Sequence, residues 1–510
     1  MKYGLIVTVV LAPLLLVKAV AYPPGDGDLF WQRWLGSTIM TLHGIPRALG
    51  PETFTAPGAP WVPQEWLFSL GLAFAAGHCA RAAFYALIGM CAVAALVLVL
   101  VRAERRGATP LIGAFCTGLA GIALLESFGV RVQVAAWPVI ALFLLVLDED
   151  GAWLWATVPI AALWSNVHAS AMLAPVLAGA ATVGVALEDR RWSARLRRHA
   201  LVTFACAAAL GFNPLGYDLP RYSMTLFMSP IKHWIAEWRP TDMSDTSFVL
   251  GALPLLCAAM VFGVAAGGRW KQGLVFAAFT ALLFTAARNI AVFSIAAAPI
   301  IAGMLSRILP ATPQSIVVTP LDRAMRVVIP AFGCVVAVVV GVGIARKAPP
   351  EIHNLPVRAV AVLDKLPGNY SLLCADFAWC ALELPPNGGM PRNRVFLDGR
   401  ADPYPVEVWR DFITIVHLEP GWSSQLASYS VDAVLVKKDA PLAQALALTR
   451  GWRVGYADET FRLYLRAGDS AQSERPRAVR RGPGGRMHRS SPRRLAWRLE
   501  AAQPLAVRGG

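Results

Sequence analysis

The chain has 510 residues, of which 56% are hydrophobic and only 15% are charged, and its mean hydropathy is +0.51. These values exclude a soluble globular protein and indicate several membrane spans. The net charge of +15 comes partly from loops between spans and partly from an arginine-rich tail, so it does not indicate nucleic-acid binding. The eight cysteines show no Cys-x-x-Cys or Cys/His spacing, so the sequence does not predict a zinc site.

The first apolar run covers residues 5–22. Ala19, Val20 and Ala21 resemble a signal-peptidase site, so cleavage is one interpretation. We favour a retained membrane anchor, because the run is long and acidic residues follow it directly. The next segment, residues 26–67, is a long loop rich in tryptophan, and a loop of this length between two spans is uncommon unless it is functional.

Two carboxylates, Asp26 and Asp28, open that loop. Carboxylates at the mouth of a helical bundle can bind a metal or act as a general base, because they stay partly hydrated while facing a bound ligand. The alternative is structural: Asp28 caps a helix over residues 29–43, and Asp26 is a solvated charge. Since residues 23–25 read Pro-Pro-Gly, Asp26 is expected on irregular backbone, which favours Asp26 as the ligand-facing residue.

Further apolar runs extend to residue 344, and with the first they predict about eleven spans, several of them short. These runs cover residues 81–101, 111–125, 132–147, 152–163, 169–187, 201–211, 248–266, 274–285, 290–305 and 327–344.

Basic residues follow the second, sixth, eighth and tenth runs, in the segments 102–106, 190–198, 269–271 and 307–326. If the spans alternate, all four clusters lie on one side, which the positive-inside rule makes cytoplasmic. The first loop and everything after Arg346 then lie outside the cytoplasm.

Residues 347–466 have the pattern of alternating helices and short apolar strands that is typical of a small α/β domain. Helices are predicted over residues 357–365, 406–416 and 441–449, and short strands over 371–376, 394–397, 433–436, 452–456 and 461–465. Cys374 and Cys380 could form a disulfide in this compartment, but spacing alone does not fix the geometry, and two unpaired thiols are favoured. Residues 467–510 are too poor in apolar residues to fold and are predicted to be a disordered basic tail.

Polar residues recur at the outer ends of the predicted spans. Ionisable groups beside apolar helices are energetically expensive, so they mark a candidate site, although each also has a structural interpretation as an interfacial or turn residue. The set comprises Glu65, Arg131, His168, Lys232, Glu237 and Arg288.

Several of these segments resemble bacterial multispanning proteins of the GT-C glycosyltransferase type. They are residues 26–31, 57–61 and 65–67 of the first loop, then Trp164-x-Asn166-x-His168, Asn213-Pro214-x-Gly216, Glu237-Trp238, Arg288-Asn289 and residues 395–402. The likeness covers nearly everything except the tail. It departs from the family at Gln32 and Gln64, where related sequences have histidine and where glutamine cannot shuttle a proton.

The resemblance implies a mainly α polytopic bundle, residues 1–346 with a first outer loop at 23–80, plus the extracytoplasmic α/β domain. It implies an inner-membrane enzyme that moves a sugar from a polyprenyl-phosphate donor to a glycan, lipid or protein acceptor, with Asp26 or Asp28 as the base or metal ligand. A divalent cation is compatible with this reading, but no cofactor is assigned. The remaining polar residues would bind substrate. The alternative is a non-catalytic transporter or assembly factor for lipid-linked glycans.

Overall fold

A computed structural model describes residues 28–78, 81–129, 131–262, 269–309, 356–375 and 392–467. Asp26, the first and last apolar runs, Cys380 and the tail lie outside the described residues. The described residues up to Ala467 form one compact unit, in which a helical bundle meets an α/β region.

Twelve α-helices come from the described residues before 310, and several extend beyond the predicted runs. In chain order they are α1 (Asp28–Leu42), α2 (Trp66–His78), α3 (Arg81–Arg105), α4 (Pro110–Ser127), α5 (Val132–Leu147), α6 (Thr157–Val167), α7 (Leu173–Asp189), α8 (Ala194–Ala209), α9 (Asp218–Met228), α10 (Leu253–Phe262), α11 (Trp270–Leu283) and α12 (Asn289–Ile308).

Two of the described helices, Ala169–Asp189 and Asn289–Ile308, are long and apolar enough to cross a membrane, and five further apolar helices are shorter. Short helices fit a bundle in which neighbouring helices satisfy the backbone. The prediction of about eleven spans stays a prediction.

Helix α2 lies within the segment predicted as outer loop. Its sequence is apolar over thirteen residues, which is short for a span, and it packs against α1. Gly36 of α1 permits this contact, because a Cβ built there would lie 1.9 Å from the carbonyl oxygen of Ser69. About half of the segment predicted as loop is therefore helical, in the closely packed pair α1 and α2.

The four predicted basic clusters gather at one end of the bundle. Arg102 and Arg106 both bind the carboxylate of Asp148, and Lys271 donates to Asp150 at 2.8 Å. Of the fourth cluster, Arg307 at the end of α12 lies within the described residues, and the backbone N–H of Thr109 donates to the adjacent Ser306. The described basic residues thus lie near one another, whereas the assignment of this end to the cytoplasm stays a prediction.

The C-terminal region builds a five-stranded sheet in the order β2-β1-β3-β5-β4. The strands are β1 (Ser371–Cys374), β2 (Arg394–Val395), β3 (Ala433–Lys437), β4 (Trp452–Ala457) and β5 (Phe461–Arg466), and the helices are α13 (Val357–Lys365), α14 (Val406–Val416), α15 (Trp422–Ser428) and α16 (Pro441–Leu448). The predicted strands and helices match these closely, whereas α15 was not predicted.

Cys374 corrects one expectation. It forms a disulfide, whereas the sequence favoured two unpaired thiols. The second sulfur lies outside the described residues. Spacing could not decide this, because a disulfide depends on how the backbone brings two Cβ atoms together.

The first loop extends the sheet. Thr53 forms a parallel bridge with Val395 of β2, the N–H of Val395 donates to the carbonyl of Glu52 at 2.8 Å, and the N–H of Phe54 donates to that of Val395 at 3.2 Å. The edge of the sheet is therefore covered by a segment from the other end of the chain, which places the first loop and the C-terminal region at the same end of the bundle.

Candidate functional site

Glu65 is the centre of the candidate site. It directly precedes α2, and its Oε2 accepts a hydrogen bond from the amide of Gln32 on α1. Burial, and after it the negative charge of Asp28, raises the pKa of Glu65 to about 8. The charge of Asp402 acts in the same direction, whereas the nearby Arg288 lowers the pKa. Four elements distant in sequence therefore share one electrostatic environment.

Asp402 enters this cluster from the C-terminal region. Its Oδ2 accepts a hydrogen bond of 2.6 Å from the hydroxyl of Tyr222 on α9 and one of 3.3 Å from the amide of Gln64. Burial raises the pKa of Asp402 to about 6, although these two hydrogen bonds oppose the shift. From the sequence, Asp402 belongs to a segment of the family resemblance, residues 395–402, and has no predicted role.

The two glutamines that depart from the family pattern hold the two carboxyl groups. The Gln32 amide donates a hydrogen bond to Glu65. The Gln64 amide, next to Glu65 in the chain, donates one to Asp402. Ser223 in turn donates to the side-chain oxygen of Gln64 at 3.3 Å. Glutamine cannot exchange a proton here, but it can orient a carboxyl group, and that is what both residues do.

Asp28 lies at the start of α1, which begins at this residue rather than after it. Its Oδ1 accepts from the indole N–H of Trp31 at 3.1 Å. Asp26, the expected partner in catalysis, lies outside the described residues, so its role remains a prediction.

Arg288 lies between α11 and α12, with its guanidinium carbon 4.5 Å from the ring centroid of Trp238. Burial lowers the pKa of Arg288, while the charges of Glu237 and Glu65 raise it. Its neighbour Arg131 forms an ion pair of 2.5 Å with Glu237. Three of the sequence-predicted residues therefore form one charged group beside Glu65.

His168 follows α6 and is neutral. Burial and the charge of Arg288 lower its pKa to about 3. The backbone N–H of Ser170 donates to Nδ1 at 3.1 Å, so the ring proton is on Nε2. His168 can donate a hydrogen bond to a ligand but does not supply positive charge.

Lys232 does not join the cluster. Its Nζ donates to the backbone carbonyl of Phe227 at 3.3 Å and lies 5.5 Å from that residue's ring centroid. No group of three metal-binding side chains occurs among the described residues.

Two buried ion pairs of Arg400 lie next to the site in the chain. Arg400 donates to Asp398 and to Glu52, the latter at 2.7 Å, and all three side chains are almost fully buried. The guanidinium carbon lies 5.0 Å from the ring centroid of Trp34 and 5.1 Å from that of Trp61. This arrangement fixes the segment that ends in Asp402 against the first loop.

No family model and no curated protein matches the chain by sequence. Solved structures do match in fold. The archaeal oligosaccharyltransferase AglB from Archaeoglobus fulgidus, in complex with an inhibitory peptide and a dolichol-phosphate, aligns at a TM-score of 0.51 and 13% identity over 86% of this chain and 69% of that chain.

The Archaeoglobus fulgidus oligosaccharyltransferase, tethered with an acceptor peptide containing the NVT sequon via a disulfide bond, aligns at a TM-score of 0.52 and 12% identity, covering 92% of this chain and 74% of that one. The chain has the GT-C fold. ArnT from Cupriavidus metallidurans in the apo state matches less well, with a TM-score of 0.46 and 14% identity over 90% of this chain and 96% of that chain. In this chain, Glu65, Asp402 and Arg288 lie close together, and Arg288 is at the opposite end of α12 from Arg307.

Proposed function

We propose that this chain is an integral inner-membrane glycosyltransferase that moves a sugar from a polyprenyl-phosphate donor to an extracytoplasmic acceptor. The observation that carries the proposal is the convergence of Glu65, Arg288 and Asp402 with Asp28 on a GT-C fold. A lone carboxylate often has a structural role, but a half-buried group of opposite charges drawn from four elements supports a ligand site.

The proposed reaction gives roles to Asp26, which lies outside the described residues, and to residues of this cluster. Asp26, supported by Asp28, would accept the proton of the acceptor hydroxyl as its oxygen attacks the anomeric carbon. The bond between that carbon and the phosphate oxygen breaks, and the lipid phosphate leaves. Arg288 would stabilise the charge that develops on the phosphate. Arg131 acts more weakly, because Glu237 already neutralises much of its charge.

The test uses the full-length protein in vesicles that contain a radiolabelled undecaprenyl-phosphate sugar and bacterial envelope glycans as acceptors. Transfer of label to the acceptor with release of undecaprenyl phosphate supports the proposal. Arg288→Gln should slow this transfer, whereas Arg410→Gln, an exposed arginine on α14, should not. Movement of the intact labelled lipid across the bilayer without transfer would support a transporter instead.

A further inference from the structure

Glu65 presents a difficulty for the proposed function on which this inference rests. A lipid phosphate is an anion, yet the site holds the carboxyl groups of Asp28, Glu65 and Asp402 close enough to influence one another. If all three were ionised, they would repel the substrate, and Arg288 alone would have to offset them.

We propose that Glu65 binds the phosphate of the donor as a neutral carboxylic acid, through its O–H group, and that Asp402 is the positioning residue that maintains this form. The role differs from that of a general base, because Glu65 gains no proton during the reaction. The role also differs from that of a general acid, because Glu65 keeps its proton.

The hydrogen bonds decide which oxygen of Glu65 carries the proton. Oε2 accepts from the Gln32 amide. In the described part of the chain Oε1 has no hydrogen-bond partner, so the acid proton is placed on Oε1, where a ligand can accept it. Gln32 is 2% exposed, and among the described residues its own oxygen is buried without a partner, so it cannot turn to solvent.

The charges that face Glu65 favour the acid form. Asp28 on α1 and Asp402 in the C-terminal region both disfavour a further negative charge, and only Arg288 opposes them. Burial acts in the same direction as the two carboxylates. The donor phosphate is a diester whose single acidic group is far more acidic than Glu65, so the proton stays on Glu65 and the contact is a hydrogen bond. The probe undecaprenyl phosphate is a monoester with a second pKa of about 6, which is also below the pKa of Glu65, about 8.

Hydrogen bonds fix the position of the Asp402 carboxyl group. Tyr222 and Gln64 both donate to its Oδ2, and the backbone around it is fixed by the Arg400 ion pairs. The C-terminal region therefore contributes a fixed negative charge to a site whose other residues come from the bundle.

The experiment measures binding of undecaprenyl phosphate, in phosphatidylcholine vesicles, to the full-length protein between about pH 6 and about pH 10. Wild-type affinity should fall at least about tenfold as Glu65 ionises, with a midpoint near a pH of about 8. Glu65→Gln should keep the affinity measured at low pH and lose this fall, because its amide donates a hydrogen bond at every pH. Pronounced loss of binding in Glu65→Gln, or a pH-independent wild type, overturns the proposal.

The positioning role of Asp402 has its own readout. Asp402→Asn removes the negative charge, so the midpoint should move to lower pH while the affinity at low pH persists. The matched control is Asp411→Asn, since Asp411 also accepts from a tyrosine, Tyr429, at 2.7 Å, but on α14. An equal shift in both variants, or in neither, would contradict the role of Asp402.

Infrared difference spectroscopy of wild type against Glu65→Gln separates this inference from the proposed function. A protonated carboxylic-acid band at neutral pH that is absent from Glu65→Gln supports the acid form without any substrate, and its absence from wild type overturns it. If the band is present but no variant binds undecaprenyl phosphate, the lipid-phosphate donor fails, and with it the ligand assigned to Glu65.

Discussion

Arg400 and Glu52 form a buried ion pair, with 2.7 Å between Nη1 and Oε1, although they are 348 positions apart in the chain. Glu52 belongs to the first loop and Arg400 to the segment that follows β2. Removing one partner of a buried pair leaves the other charge uncompensated.

We therefore expect Arg400→Met to destabilise the protein by about 3–5 kcal/mol and to lower transfer activity through displacement of Asp402. Thermal unfolding in detergent measures the first effect. The control is Arg105→Met, which breaks an ion pair with Glu149 whose side chains are 60% and 40% exposed; such pairs contribute at most about 1 kcal/mol. Equal losses in both variants would contradict the structural role of Arg400.

Gly36 should be intolerant of any side chain. Because its Cβ would meet the Ser69 carbonyl at 1.9 Å, Gly36→Ala must push α1 away from α2, at a cost of about 1–3 kcal/mol. The shift also moves Gln32 away from Glu65. Gly71→Ala on α2 is the control, since no heavy atom lies within 4 Å of its Cβ. Unfolding temperatures of the two variants test this, and a stable Gly36→Ala protein would refute the close contact.

Glu65 should make stability depend on pH. Its pKa rises from 4.5 to about 8 in the folded state, so in that window the folded protein holds a proton that the unfolded chain has released. The protonated Glu65 therefore contributes to the free energy of unfolding at acid pH, and this contribution is lost as the pH rises. Glu65→Gln should be more stable than wild type at a pH of about 8 and equally stable near pH 4.5. The control Glu407→Gln, at an exposed position, keeps Glu65 and should therefore retain the pH dependence of the wild type.

Asp26 and Asp28 should differ in importance. Asp26→Asn is expected to reduce sugar transfer at least about 100-fold, as for loss of a general base. Asp28→Asn should keep most activity, because the asparagine oxygen can still accept from the Trp31 indole. Steady-state transfer rates of the two variants test the assignment. A dead Asp28 variant beside an active Asp26 variant would reverse the roles, and two fully active variants would exclude the base.

The C-terminal region is expected outside the cytoplasm. A cysteine introduced at the exposed Ser423, in a cysteine-free background, should react with a membrane-impermeant thiol reagent in cells with a permeabilised outer membrane. A cysteine at Arg191, in a basic cluster, should react only after the inner membrane is lysed. The opposite pattern would invert the topology.

The sequence predicts those features of this fold that depend on local pattern. Alternation of basic clusters indicated that Arg102, Arg195 and Lys271 lie at one end, and the strand pattern located β3 and β5 within a residue or two. Charge and hydropathy act over short stretches, so one sequence suffices to read them.

The remaining features depend on contacts that no local pattern records. Asp402 meets Gln64 across 338 positions, and Glu52 joins a sheet whose other strands all follow residue 370. Helix α2 was missed because thirteen apolar residues are too few for an ordinary span. Lys232 was predicted as a site residue from its position in an outer loop; its side chain contacts Phe227, and its role in the site stays a prediction.

The parallel bridge between Thr53 and Val395 has a consequence for how the protein is made. The first loop leaves the ribosome some 340 residues before its partner, as the hydrogen bond from Thr55 to the Phe396 carbonyl shows, with a separation of 341. At about 5–20 residues per second, that interval lasts tens of seconds. During it Glu52 and Trp61 have no Arg400 to contact, so the first loop can reach its final packing only after the last strands have emerged.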